Sequence, residues 1–141
     1  MTRVAMSALI AACAGLLAAS PAASMDRKTG EEKLAEMLEG RVAGEPESCI
    51  RTFGNGNLTV IDKTALVYKR GDTIWVNRTR FPETLDDNDY LVIKKYGTTG
   101  QLCRLDNVTT VDRYNGFFTG VVFLDDFVPY TRVDKDEAEE S

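Results

Sequence analysis

Apolar residues recur along this chain with two spacings, and the change between them separates a short helix from a β region. Leu34, Met37 and Leu38 fall at i, i+3 and i+4, which makes one narrow helical stripe. Thr29 and Glu32 stand ahead of it with the spacing of a capping box, hydroxyl and carboxylate each satisfying a free backbone donor. Gly40 is a helix stop and Gly44-Glu45-Pro46 breaks the chain again, so residues 25–47 read as an N-terminal α-helix and linker. From there the runs shorten and become β-branched: Leu58 to Asp62, Thr64 to Lys69, Thr73 to Asn77, Tyr90 to Tyr96, Val108 to Asp112 and Phe117 to Phe123. Gly71-Asp72 predicts a hairpin over residues 64–77, and Gly97-Thr98-Thr99-Gly100 and Asn115-Gly116 supply further turns. About six short strands predict a mainly β domain over residues 48–133: a small antiparallel sheet, barrel or sandwich.

Both ends depart from this texture. In residues 1–24 the only charged side chain is Arg3, and Val4 to Ala19 is uncharged and rich in Ala and Leu. That run is shorter than the roughly 20 apolar residues a spanning helix needs. Ser20-Pro21 ends it, and Ala22-Ala23-Ser24 puts small residues at −3 and −1 of a cut before Met25, the pattern of a secretory signal peptide. Ile10-Ala11-Ala12-Cys13 offers a second reading, a bacterial lipobox in which Cys13 is lipidated. Residues 134–141 carry five carboxylates (Asp134, Asp136, Glu137, Glu139 and Glu140) and one lysine, the composition of a disordered acidic tail.

Either reading of the leader removes Cys13 from the pairing thiols. Cys49 and Cys103 remain, and an even pair in an exported domain predicts one disulfide, worth about 4 kcal/mol by loop closure. The 141 residues contain no histidine, which removes serine–histidine and cysteine–histidine nucleophiles and histidine-ligated metals. No cofactor motif is present. A net charge of −5 opposes general binding to nucleic acid or anionic lipid, leaving membrane attachment only through a lipidated Cys13.

Candidate chemistry is sparse. Asp86-Asp87-Asn88-Asp89 is the densest oxygen cluster, with Asp86 and Asn88 in the first two ligand positions of a calcium loop. Tyr90 and Leu91 then break that pattern, which favours a solvated acidic turn. Asp125-Asp126 would add a carboxylate pair for acid–base work if the fold brought the two clusters together. Arg51, Lys69, Arg70, Arg78, Arg80, Lys94 and Lys95 interleave with Phe53, Tyr68, Trp75, Phe81 and Tyr96, a composition suited to stacking single-stranded bases, which the acidic total opposes. Strand alternation sets Trp75 on the face opposite Ile74 and Val76, either under the N-terminal helix or exposed as a ligand platform. Arg70-Gly71-Asp72 is explained by the hairpin turn, and Asn57, Asn77 and Asn107 head Asn-x-Thr sequons.

A series of short matches runs through the β region: Cys49-Ile50, Val60-Ile61-Asp62, Thr64-Ala65-Leu66-Val67, Trp75-Val76-Asn77, Leu102-Cys103-x-x-Asp106 and Leu124-x-x-Phe127-x-Pro129-Tyr130. In this order they resemble a family of small exported proteobacterial proteins of unknown function, often lipoprotein-like. The resemblance implies export and a Cys49–Cys103 bridge, and supplies no activity. Two further cysteines common in that family are here Thr84 and Val122, as if a second bridge had been replaced as a unit.

The expectation is therefore an exported, periplasmic protein acting as a non-enzymatic binding or envelope-accessory module, its acidic charge suited to a basic envelope protein. The alternatives are a carboxylate-based cell-wall glycan hydrolase using Asp86, Asp87, Asp89, Asp125 and Asp126, and a structural lipoprotein anchored through Cys13.

Overall fold

The computed structural model describes residues 27–53, 58–96 and 100–133. The leader with Cys13, the acidic tail, the Asn57 sequon and the 97–99 turn lie outside them. The described chain opens with α1 (Gly30–Leu38), capped by Thr29. The Glu32 N–H donates to the Thr29 hydroxyl at 3.3 Å, and the Thr29 N–H to the Glu32 carboxylate at 2.7 Å. Gly40, at φ +70°, turns the chain out of the helix through the left-handed region that glycine enters without steric cost.

Ten strands follow: β1 (Arg41–Ala43), β2 (Cys49–Arg51), β3 (Leu58–Ile61), β4 (Ala65–Arg70) and β5 (Thr73–Asn77). Past a short 3-10 turn (Pro82–Thr84) come β6 (Asp89–Lys94), β7 (Gln101–Cys103), β8 (Asn107–Asp112), β9 (Phe118–Val122) and β10 (Val128–Arg132). All pairing is antiparallel, in a five-stranded sheet β1-β10-β5-β4-β3, a three-stranded sheet β6-β8-β9 and a ribbon β2-β7. The six expected runs are β3, β4, β5, β6, β8 and β9. The other four strands are short or contain proline. Segment 39–47, expected as linker, supplies β1 and a bridge from Glu47 to Phe127.

Alternation in β4 and β5 divides the core in two. Ala65, Val67, Ile74 and Val76 face α1, whose Leu34, Met37 and Leu38 pack on them together with Ile61 and Tyr130. Leu66, Tyr68 and Trp75 face the other way, against Ile50, Leu102, Val108, Val122 and Phe127. The result is helix on sheet on sheet, a sandwich-like arrangement, and no barrel closes among the described residues. Trp75 is half-buried beside Tyr68, ring centroids 6.0 Å apart, in the inter-sheet core. Its cover comes from the second sheet and not from the helix, because α1 sits on the Ile74 and Val76 face.

Cys49 lies directly opposite Cys103 in the ribbon, Cα atoms 4.0 Å apart and the sulfurs bonded. Arg104 N–H donates to Ser48 O and Thr52 N–H to Gly100 O. Those bonds place the cysteine pair at a non-hydrogen-bonded position, where opposed Cα atoms approach most closely.

Candidate functional site

β6 reads Asp89-Tyr90-Leu91-Val92-Ile93-Lys94, apolar at four consecutive positions, the signature of a strand covered on both faces. Among the described residues only one face is covered. Leu91 and Ile93 pack on the inter-sheet core, while Tyr90 and Val92 point outward, Tyr90 54% exposed. Register carries this outer face across the sheet: Tyr90 opposes Val111, which opposes Phe118, and Val92 opposes Thr109, which opposes Val121. Phe118 is 64% exposed, and Phe123, just beyond β9, stacks edge-on against Phe81 at 5.9 Å. The Arg113 guanidinium lies over the Tyr90 ring at 4.9 Å, holding that ring at the margin of the face. The five-stranded sheet has α1 on its outer side. Among the described residues the three-stranded sheet has nothing.

A cleft of about 330 Å³ opens beside this sheet, between β3 (Leu58, Thr59, Val60) and β6 (Asp89, Tyr90, Leu91). Asp89 is buried and accepts a hydrogen bond from the Thr119 hydroxyl at 2.5 Å. Thr119 occupies the β-bulge of β9, where Thr110 pairs Gly120 and Val111 pairs Phe118, and the extra residue re-aims its side chain.

The acidic run splits. Asp86 and Asp87 join Asp62 in a cluster whose carboxylate oxygens lie within 4.8 Å of one another, whereas Asp89 turns inward. Asn88 donates its backbone N–H and its side-chain amide to Asp86 Oδ1, at 2.8 and 2.9 Å. Its role is to close an Asx turn, with its amide nitrogen and not its oxygen turned toward Asp86. Lys33 Nζ is 3.7 Å from Asp87.

Asp125 and Asp126 line a different depression, with Pro46, Arg78, Val128 and Tyr130, and Arg104 pairs with Asp126 at 3.3 Å. The carboxylates expected for glycan hydrolysis thus fall into two separate places. The basic–aromatic set is also dispersed. Tyr68 is buried, Trp75 is in the core, the Arg70 guanidinium lies over Phe53 at 4.7 Å, and Lys95 Nζ donates to Thr52 Oγ1 at 3.1 Å. Arg78 binds Glu31 through both guanidinium nitrogens at 2.7 and 3.0 Å; that hydrogen bonding holds the Glu31 carboxyl below the usual range and raises the arginine. Gly71-Asp72 forms the two-residue turn between β4 and β5. Among the sequons, Asn107 is exposed and Asn77 is fully buried.

Phe118, Val121, Arg113 and Thr119 were not singled out from the sequence. The unbroken apolar run of β6 was the available signal, since half of it needs a cover that the chain's one described helix supplies elsewhere. Comparison with protein-family models, with curated proteins and with solved structures gives no match.

Proposed function

We propose that the chain is an exported, periplasmic, non-enzymatic binding module of the cell envelope. The observation that carries this reading is the outer face of β6-β8-β9. Tyr90, Val92, Phe118 and Val121 are exposed around the half-buried Val111 and Thr109, an apolar face of the kind that marks interaction sites. Export is supported by the Cys49–Cys103 bridge, which persists in an oxidising compartment, and by the leader pattern of residues 1–24. No described helix is long and apolar enough to cross a membrane.

The test is site-specific photocross-linking in envelope preparations. A photoreactive residue at Val92 or Val121 is expected to give a discrete adduct, and one at Glu36 on the exposed side of α1 is expected to give none. Equal labelling from both positions, or none from the face, sinks the reading.

A further inference from the structure

We infer that the slot between β3 and β6 seats an extended polypeptide segment that brings a basic side chain to its acidic end. β3 and β6 are each the terminal strand of their sheet. A terminal strand presents a row of unpaired N–H and C=O groups, which proteins ordinarily guard with lysine, proline, a bulge or extreme shortness. The other terminal strands follow that rule: β1 has three residues and β9 carries the bulge. β3 (Leu-Thr-Val-Ile) carries no lysine, proline or bulge, and β6 carries its charges only at its two ends, Asp89 and Lys94, leaving Tyr90 to Ile93 bare. Residues of both strands line one cleft.

The walls fit a strand. Leu58, Val60 and Leu91 are half-buried and packed on the inter-sheet core. Alternate residues of an inserted segment would therefore meet apolar surface while the others face water. A segment bonded to both edges would join the two sheets. Asp87 and Asp89 line the cleft with Arg113, whose guanidinium is held over Tyr90, and Asp87 joins Asp62 and Asp86 in a carboxylate cluster where β3 ends. Among the described residues Lys33 approaches Asp87, and with Arg113 two cations stand against the four carboxylates of Asp62, Asp86, Asp87 and Asp89, which leaves this end net negative. An arginine fork at the end of the segment matches it.

This inference rests on the binding-module reading but concerns a neighbouring surface that shares Tyr90 and not Val92 or Val121, so the two fail separately. The probe is an acetylated, amidated hexapeptide, Arg-Val-Thr-Val-Thr-Val, added to the full chain and followed by amide NMR shifts and hydrogen exchange. Protection is expected along Leu58 to Ile61 and Asp89 to Leu91. Glu in place of the peptide Arg, or methylation of alternate peptide nitrogens, is expected to weaken binding by about ten-fold or more. Asp86→Asn with Asp87→Asn should reproduce the charge effect, and if that variant fails to fold the peptide series still decides. Binding indifferent to nitrogen methylation and to the Arg-to-Glu change, shifts confined to β9, or no binding overturns the inference. Any of these leaves the cross-linking result at Val92 and Val121 standing.

Discussion

The Asn77 side chain holds the Asp125 backbone with both of its amide groups. Nδ2 donates to the Asp125 carbonyl at 2.5 Å and Oδ1 accepts from the Asp125 N–H at 3.0 Å. Asn77 ends β5 and is fully buried, so a side chain stands in for one rung of a ladder on the way from β9 to β10. Asn77→Ala leaves both Asp125 groups without their partner and should cost about 2–3 kcal/mol, read as a lower urea midpoint with an unchanged slope. A midpoint equal to wild type would mean that water replaces the amide without loss.

Gly30 is the second position at which a small change has a determined sign. A Cβ there would collide with the Thr64 hydroxyl and the Asp62 carbonyl, where the helix start touches the β3–β4 turn. Helix propensity alone favours Gly30→Ala by up to about 1 kcal/mol. Because one of the colliding atoms belongs to the backbone, the variant is expected to be less stable than wild type in thermal unfolding.

The helix also reports acid. The Thr29 backbone N–H and hydroxyl hold the Glu32 carboxyl below the ordinary range, and the Arg78 hydrogen bonds do the same for Glu31. A carboxyl whose value falls on folding contributes stability above its unfolded value, and that contribution is lost as pH falls through the lowered one. Unfolding midpoints of wild type should therefore fall on acidification through this window more than those of Glu31→Gln with Glu32→Gln. Both groups are exposed, so the difference is small and shrinks with salt. Parallel pH profiles for the two proteins would refute the assignment.

Reducing the Cys49–Cys103 bridge, or replacing both cysteines by alanine, should lower stability by about 4 kcal/mol. Chemical denaturation with and without reductant measures it. Because the bridge spans two three-residue strands, protection of the Ile50 and Leu102 amides should fall first.

On the outer face the expectation reverses. Tyr90, Val92, Phe118 and Val121 are exposed, and exchanging Val92 and Val121 for threonine should shift stability by no more than about 0.5 kcal/mol while raising solubility. A large loss of stability would show that something in the chain already covers them.

The helix and six strands were legible because their signals are local. Thr29 and Glu32 cap a stripe led by Leu34, and Gly71-Asp72 closes a hairpin between two β-branched runs. The four missed strands depend on distant partners. Arg41–Ala43 and Cys49–Arg51 are too short for periodicity, and Gln101–Cys103 is a strand only through its pairing with β2. Val128–Arg132 contains Pro129, which argues against a central strand, yet β10 lies between β5 and β1. Pro129 is tolerated because it faces the end of β1, where Gly44 N–H donates to its carbonyl and the pairing lapses before resuming at the Glu47–Phe127 bridge. The outer face was legible only in part. The apolar run of β6 announces a need for cover, but which side goes uncovered is decided by where α1 lands. The Asp62–Asp86–Asp87 grouping joins residues more than twenty positions apart, which no spacing rule anticipates.

The position of β10 has a consequence for when this protein can fold. The last of the described strands is also an interior strand of the larger sheet, flanked by β1 and β5, which precede it by about 85 and 50 residues. Nothing made earlier can complete that sheet, so its interior stays open until Val128–Arg132 is free to pair with β5 and β1. Val128–Arg132 is then the latch of the fold: one late segment closes the sheet on strands that were waiting on either side of it.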